Sequence, residues 1–295
     1  MARNIWSDVS SIALTVQQDA YFIVRETNFL QNLVTSFGDM QGMNTRTSYA
    51  YNSGSAVTIG DDDDLTSAAF TPSADQTLTP YEIGLQFFIT DARAESDVPE
   101  MIMTDAAREL GFAAADKVMT DQVGDFPNLT GGTLGATGTA ITWSYMAAGI
   151  QQARNVNKSG AKPLAAVIHG YQAGVLAKSA SIAGATQLTS ALGYTEAVTR
   201  QGTGMSAGTP VFMFMGVPIY QVFQSSQTAT STDFTGAIFP REALAIDWRR
   251  PIRVEGERDA SRRGWELNMS AIYDTGIWRP DLGIVMLFDA QAPTA

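Results

Sequence analysis

The 295-residue chain contains no cysteine and a single histidine, His169. The first absence excludes a disulfide framework, thiolate zinc sites and a cysteine nucleophile. The second leaves nothing to complete a multi-histidine metal centre around His169. Basic residues are scarce, 19 lysines and arginines against 30 acids, for a formal net charge of −11. That balance argues against a protein that holds nucleic acid by neutralising phosphates. No apolar run reaches the roughly 18 residues of a membrane-spanning helix, so no membrane partner is expected. Residues 1–8 lack a basic stretch followed by an apolar one, so no signal peptide is expected either. No repeat of about 20–50 residues is apparent. What is present, 45% hydrophobic and 17% charged residues, suffices for one large or two modest soluble domains with a real core.

The charge is unevenly spread. Residues 61–125 hold fifteen acids against Arg93, Arg108 and Lys117. Residues 241–263 hold seven arginines (Arg241, Arg249, Arg250, Arg253, Arg258, Arg262, Arg263) and five acids. Two ordinary solvated faces would explain this. The sharper expectation is that the acidic segment of one subunit meets the arginines of another, because the guanidinium fork pairs bidentately with carboxylates.

Periodicity divides the chain. Phe22, Arg25, Phe29, Leu30, Leu33, Val34 and Phe37 form a partial helical stripe closed by Gly38, which predicts an N-terminal arm with some helix. Residues 45–51 and 56–59 are rich in Thr, Tyr, Val and Ile and predict short strands, and a strand returns over 81–90. Such a ribbon cannot bury a core of its own and needs something to lie on. Residues 97–123 predict a long helix. Asp97 and Glu100 make a capping box, Pro99 fits the opening turn, and Ile102, Ala106, Leu110, Ala114 and Val118 recur every four residues. Gly124 and Pro127 end it. A second helix is expected over 144–155, a buried strand over 163–169 and a helix over 171–180. Residues 184–208 are loop-rich. Strands follow at 211–215 and 217–222 around Gly216, then at 237–240 and 243–247. Trp265, Leu267, Met269, Ala271 and Tyr273 alternate as one face of a long strand, a turn is expected at 274–276, and 284–288 closes the chain as a buried strand.

The motifs that could carry chemistry fail on context. Gly204-Met205-Ser206-Ala207-Gly208 has the spacing of a serine-hydrolase elbow. That motif needs a strand before it, a helix after it and a histidine later in the chain, whereas His169 comes earlier. Gly202-Thr203-Gly204 lacks the strand, helix and Lys-Ser/Thr of a phosphate loop. Asp61, Asp62, Asp63 and Asp64 lack the alternating ligands, glycine and glutamate of a calcium loop, and read better as a solvated or salt-bridged tip. Asn128-Leu129-Thr130 and Asn268-Met269-Ser270 fit the glycosylation sequon but carry no weight without a signal peptide. His169 ends a predicted buried strand and reads as a core or strand-end residue. No catalytic, cofactor-binding or metal-ligating residue is therefore predicted, and the chain is not expected to be an enzyme.

The order of elements is the informative feature: an arm, an unsupported ribbon, one very long helix, a mixed α/β region, an alternating strand and a closing strand. This α+β order resembles the major capsid proteins of tailed bacteriophages, the Hong Kong 97-like fold. Residues 78–91 look like the returning arm of that family's extension loop and residues 95–123 like its spine helix. Residues 211–220, with Gly216-Val217-Pro218-Ile219, are similar to its Gly-x-Pro-Val/Ile axial strand. Residues 237–243 and 271–276 look like its late peripheral-domain segments. The resemblance implies an N-terminal arm over 1–44 and an extension loop over 45–90. It implies a peripheral domain over 91–160 and 246–295, and an axial domain over 161–245. It further implies hexamers and pentamers closing into an icosahedral shell around double-stranded DNA that is enclosed without specific binding. The implied setting is a virion assembled in a bacterial cytoplasm, with a portal and room for a decoration protein. Because the arm begins close to Met1, scaffolding is expected from a separate protein. Lys117, Lys158, Lys162 and Lys178 all lie outside 45–90, so a lysine-to-asparagine cross-link from that loop is not expected.

An encapsulin-type compartment shares the implied fold and is the near alternative; a monomeric hydrolase or binding domain is the distant one. The charge polarity also makes a specific expectation. Asp61, Asp62, Asp63 and Asp64 should meet arginines of an adjacent subunit drawn from Arg249, Arg250, Arg253, Arg258, Arg262 and Arg263.

Overall fold

The structure, a computed structural model, describes residues 28–51, 56, 58–61, 64, 67, 69–96, 99–157, 162–182, 210–223 and 232–291. They form an α+β fold built on two sheets and a separate two-stranded ribbon. The expected elements at 1–27 and 184–208, Asp97 of the capping box, and the Gly204–Gly208 segment lie outside the described residues.

The strands are β1 (Thr35–Phe37), β2 (Arg46–Tyr51), β3 (Pro72–Leu78), β4 (Tyr81–Thr90), β5 (Thr133–Gly135) and β6 (Leu164–His169). They continue as β7 (Phe212–Phe214), β8 (Val217–Val222), β9 (Asp233–Pro240), β10 (Leu244–Asp259), β11 (Gly264–Ile277) and β12 (Ile284–Asp289). The helices are α1 (Asp91–Ser96), α2 (Pro99–Gly124), α3 (Trp143–Val156) and α4 (Gly170–Ile182).

One sheet has six strands in the order β5-β12-β9-β6-β8-β7. Every residue of β6 and of β9 is buried, including Asp233 and Thr235 of β9. Met146, Ile150 and Ala153 of α3 and Ala173 and Leu176 of α4 pack with Ile168, Ile219, Ile238, Ile284 and Met286 into one core. Thr142 caps α3 by accepting a hydrogen bond from the Tyr145 amide. Gln172, 1% exposed, locks α4 to three strands at once. Its Oε1 accepts from the His169 amide, and its Nε2 donates to the carbonyls of Phe234 and Phe288. The β7–β8 hairpin turns on Met215 and Gly216, both at positive φ, which makes the two-residue turn whose twist suits a hairpin.

The other sheet has the order β1-β10-β11-β4, and α2 lies against it. At 26 residues α2 is about 39 Å long. Leu110, Ala114 and Val118 are fully buried, with Ile102 and Ala106 packed at the edge, so the four-residue stripe is the face the helix buries. Pro99 opens the helix, and a 3-10 turn over Phe126–Asn128 follows its end. Val118, Met119, Val123 and Phe126 carry that end into a junction between the sheets, with Phe239, Ile246 and Tyr273.

Several expectations are corrected. Residues 35–37 are a strand, parallel to β10, and only Leu30–Asn32 make a short 3-10 turn, so the helical stripe does not extend through Phe37. The apolar residues there follow a strand edge and a core contact instead of one helix face. Ala56, Thr58 and Ile59 are not in a strand, whereas the Pro/Ser/Ala/Thr-rich β3, which no propensity favoured, is one because it pairs with β2. β4 pairs with β11 in the body, so the returning arm of the ribbon is β3 and not 81–90. β11 runs on through 274–276, where a turn was expected, because β10 pairs it as far as Ile277. The arginine-rich segment is itself most of β10, with ladder irregularities around Pro251, which cannot donate to a ladder. Of the alternating residues of β11, Leu267, Met269, Ala271 and Tyr273 are buried. Trp265, next to the hairpin turn, is 38% exposed.

Candidate assembly surface

The ribbon is the part of the chain with no core of its own. β2 and β3 pair only with each other, from Arg46↔Leu78 at the root to Tyr51↔Pro72 at the outer end. Tyr49 (63% exposed), Tyr51 and Phe70 (73% exposed) display aromatic surface there, and the Tyr51 and Phe70 rings stack at 4.9 Å and 6°. Among the described residues this aromatic face is paired but uncovered.

The root is the opposite. Leu78 is buried against Gly276, where a Cβ would sit 2.6 Å from the leucine methyl. The Thr79 amide donates to Asp274 at 2.5 Å, and the Tyr81 hydroxyl donates to Asp121 at 2.6 Å. Tyr273 donates to the same Asp121 oxygen at 2.7 Å, and Lys117 pairs with its other oxygen. On the other strand, Arg46 bridges Asp39 and Asp247 and lies 4.4 Å above the Phe37 ring. Asp247 is fully buried and held also by Arg249 at 2.7 Å. Among the described residues, charge and packing therefore fasten the ribbon at its root.

The arginines of β10 are committed within the chain to a degree that composition did not suggest. Arg249 has a fully buried side chain, paired with Asp247 and donating to the Asn44 carbonyl. It is therefore removed from the set expected to face a neighbour, because a guanidinium inside the fold cannot reach another subunit. Arg250 pairs with Glu82, Arg253 with Glu255 and Arg258 with Asp91. Arg262 pairs with Glu266 and covers the Phe88 ring at 4.5 Å. Arg263, exposed at the hairpin tip, has no ion pair among the described residues. Part of the charge polarity is thus neutralised between β4–α1 and β10 of one chain. Arg253, Arg258 and Arg262 keep more than half of their side-chain surface in solvent. Asp61 and Asp64 are exposed, and Asp62 and Asp63 lie outside the described residues.

His169 sits at the end of β6, 8% exposed, with Nδ1 accepting from the Tyr171 amide. Burial holds its pKa below the usual histidine range, as befits a strand-end core residue. Among the described residues no group of three potential ligands is placed to hold a metal, and no helix is long and apolar enough to cross a membrane.

No family model matches the sequence, and no curated protein matches it. Solved structures do. The chain is similar to the head of Helicobacter pylori bacteriophage KHP40 at TM-score 0.63 and 12% identity, over 92% of this chain and 94% of that one. It is similar to the capsid of Cyanophage P-SCSP1u at TM-score 0.61 and 15% identity, over 92% and 91%. It also matches the capsid of an empty GTA particle at TM-score 0.61 and 13% identity, over 91% and 92%.

The chain has the Hong Kong 97-like capsid fold. The long helix of that fold is α2, and its extended hairpin is the β2–β3 ribbon. The root contacts were missed in the sequence because Arg46, Asp121, Asp125, Asp247 and Asp274 are scattered over 229 positions and counted there only as charge. The four-residue spacing of Asp121 and Asp125 at the end of a predicted helix was the one local signal.

Proposed function

We propose that this chain is the major capsid protein of a tailed phage or phage-derived particle. It would self-assemble as hexamers and pentamers into an icosahedral shell around double-stranded DNA. The observation that carries the reading is the ribbon: an aromatic face fastened at its root and left uncovered by the other described residues, within a capsid fold. A second copy supplies the missing support. The acidic balance suits a wall whose DNA is driven in by a motor, with no coat-held phosphates. The similar structures named above are phage and gene-transfer-agent capsids, which favours this over an encapsulin-type compartment. A portal and a separate scaffolding protein go with the reading, as do a virion location and assembly in a bacterial cytoplasm. We place β4 with the peripheral domain (91–160 and 246–295), leaving the arm at 1–44 and the axial domain at 161–245.

Negative-stain microscopy of the expressed protein tests the proposal. Closed shells, rings or sheets of capsomers are expected. A stable monomer as the only species, at every concentration and salt, would overturn it.

The acidic loop beyond the ribbon supplies a second contact. Asp61, Asp62, Asp63 and Asp64 meet arginines of an adjacent subunit drawn from Arg250, Arg253, Arg258, Arg262 and Arg263. Each exposed pair contributes about 0–1 kcal/mol, but many symmetry-related copies add. Replacing all four aspartates with asparagine should weaken assembly more at low salt than at high salt. Unchanged assembly throughout would rule the contact out.

A further inference from the structure

The β1-β10-β11-β4 sheet has two edges, and the chain treats them differently. Beyond Asp247, the last residue paired with β1, no described strand lies on the outer side of β10. Pro251, the irregular ladder around it and the charges of Arg250, Arg253, Glu255, Glu257 and Arg258 guard that edge. Proline and charge are common protection against a further strand. The β4 edge has little of either. Its ten residues, Tyr81–Thr90, hold one charge, Glu82, and no proline. Among the described residues they pair with β11 alone.

The parity of the β4–β11 ladder decides what that edge offers. The Asp91 amide donates to the Arg263 carbonyl at 2.9 Å, one step beyond the Thr90↔Gly264 pair. Bonded and unbonded pairs alternate in an antiparallel ladder, so Tyr81, Ile83, Leu85, Phe87 and Ile89 direct their backbone groups to β11. Glu82, Gly84, Gln86 and Phe88 turn theirs outward. The side chains alternate as well. Ile83, Phe87 and Ile89 lie on the α2 side, and so does Leu85, which is 39% exposed. Glu82, Gln86 and Phe88 lie on the other side, against Arg250, Glu266 and Arg262.

We propose that β4 pairs antiparallel with β4 of a second copy about a twofold axis through Leu85. In that register Glu82 stands opposite the partner's Phe88 and Gly84 opposite the partner's Gln86, and both pairs recur across the axis. All four outward residues are used, for about eight main-chain hydrogen bonds. The two Leu85 side chains face each other at an unbonded position, where cross-strand side chains approach most closely. Glu82, half-exposed, comes beside the partner's Arg262, which covers the partner's Phe88.

Neighbouring registers lose this match. An axis at Gln86 brings two Gln86–Glu266 pairs face to face, and an axis at Gly84 sets Glu82 against the partner's Gln86–Glu266 pair. Both bring acids together, which an antiparallel pair disfavours. The strand's own sequence therefore supplies both halves of an isologous contact. This goes beyond the ribbon contact of the proposed function and does not need it.

The chain has no cysteine, so Leu85→Cys introduces a single thiol whose disulfide can only join two copies. Cβ atoms opposite each other in an antiparallel pair lie roughly 4.5–5.5 Å apart, close to the span of a disulfide. Under mild oxidation, non-reducing electrophoresis should show the Leu85→Cys dimer forming at least about tenfold faster than that of Phe112→Cys, a comparably exposed position on α2. Adding Gln86→Pro removes an outward amide while sparing the β11 ladder, and should abolish the difference. Equal rates for the two thiols, or a rate indifferent to Gln86→Pro, would overturn the contact. If Gln86→Pro does not fold, residue-resolved hydrogen exchange of the wild type decides. Gly84, Gln86 and Phe88 amides that exchange about tenfold more slowly in associated than in dilute protein support the pairing, and unchanged amides overturn it. Micrographs of the same samples separate the two readings: shells without the Leu85→Cys dimer remove this contact alone, and the dimer without shells removes the capsid reading alone.

Discussion

The six-stranded sheet and the ribbon show two ways of making strands. In the sheet, every residue of β6 and β9 is buried, most of them apolar. The stabilisation comes from inside the chain, at about 25 cal/mol per Å² of apolar surface. In the ribbon, β2 and β3 share a ladder but no core, and the apolar surface of Tyr49, Tyr51 and Phe70 stays in solvent. Such a pair is marginal on its own and persists here because polar contacts fasten one end. The sheet is complete within the chain, and on the proposed reading the ribbon is completed by another subunit.

The largest expected effect comes from cutting the fastening. Asp247→Ala leaves the guanidinium of Arg249 buried without its partner and that of Arg46 with Asp39 alone, and should cost about 3–5 kcal/mol, read by denaturant unfolding. Damage to the sheet core should come next. Ile150→Ala, at a fully buried position in α3, should cost about 2–5 kcal/mol and lower assembly only in proportion to the folded fraction. A Tyr51→Ala/Phe70→Ala variant should do the reverse, with stability unchanged to within about 0.5 kcal/mol and closed shells strongly reduced in micrographs. Loss of stability without loss of assembly would dissolve the comparison. The smallest effect belongs to Arg250→Ala, which breaks the half-exposed pair with Glu82. It should cost about 0–1 kcal/mol and less at high salt.

Legibility in the sequence follows the same division. The α2 stripe, the runs of β6 and β12 and the alternation of β11 could be read because burial against one face repeats with the period of the element. β3 could not, because Pro72 to Leu78 forms a strand through its partner Arg46–Tyr51 and not through its own composition. Phe37 was misassigned for a related reason: its neighbours are apolar because they pack on β10 and Trp278, not because they share a helix face. The arginines were expected to meet a neighbour, and within the chain Glu82 and Asp91 already pair with Arg250 and Arg258. Charge counted along a sequence has no distance in it.

The sequence by itself determined the element order, the spine helix, the buried strands and the lack of thiol or multi-histidine chemistry. These depend on residue type and on spacings of two to four positions. Only the tertiary structure decided what each acid meets. Asp247 is enclosed by two arginines and Asp121 by two tyrosines and a lysine, while Asp274 accepts from the Thr79 amide and Asp125 from the Thr275 side chain. All four are the same residue in the sequence. What separates them is the distance to the nearest cation and the solvent removed around them, and both are properties of packing.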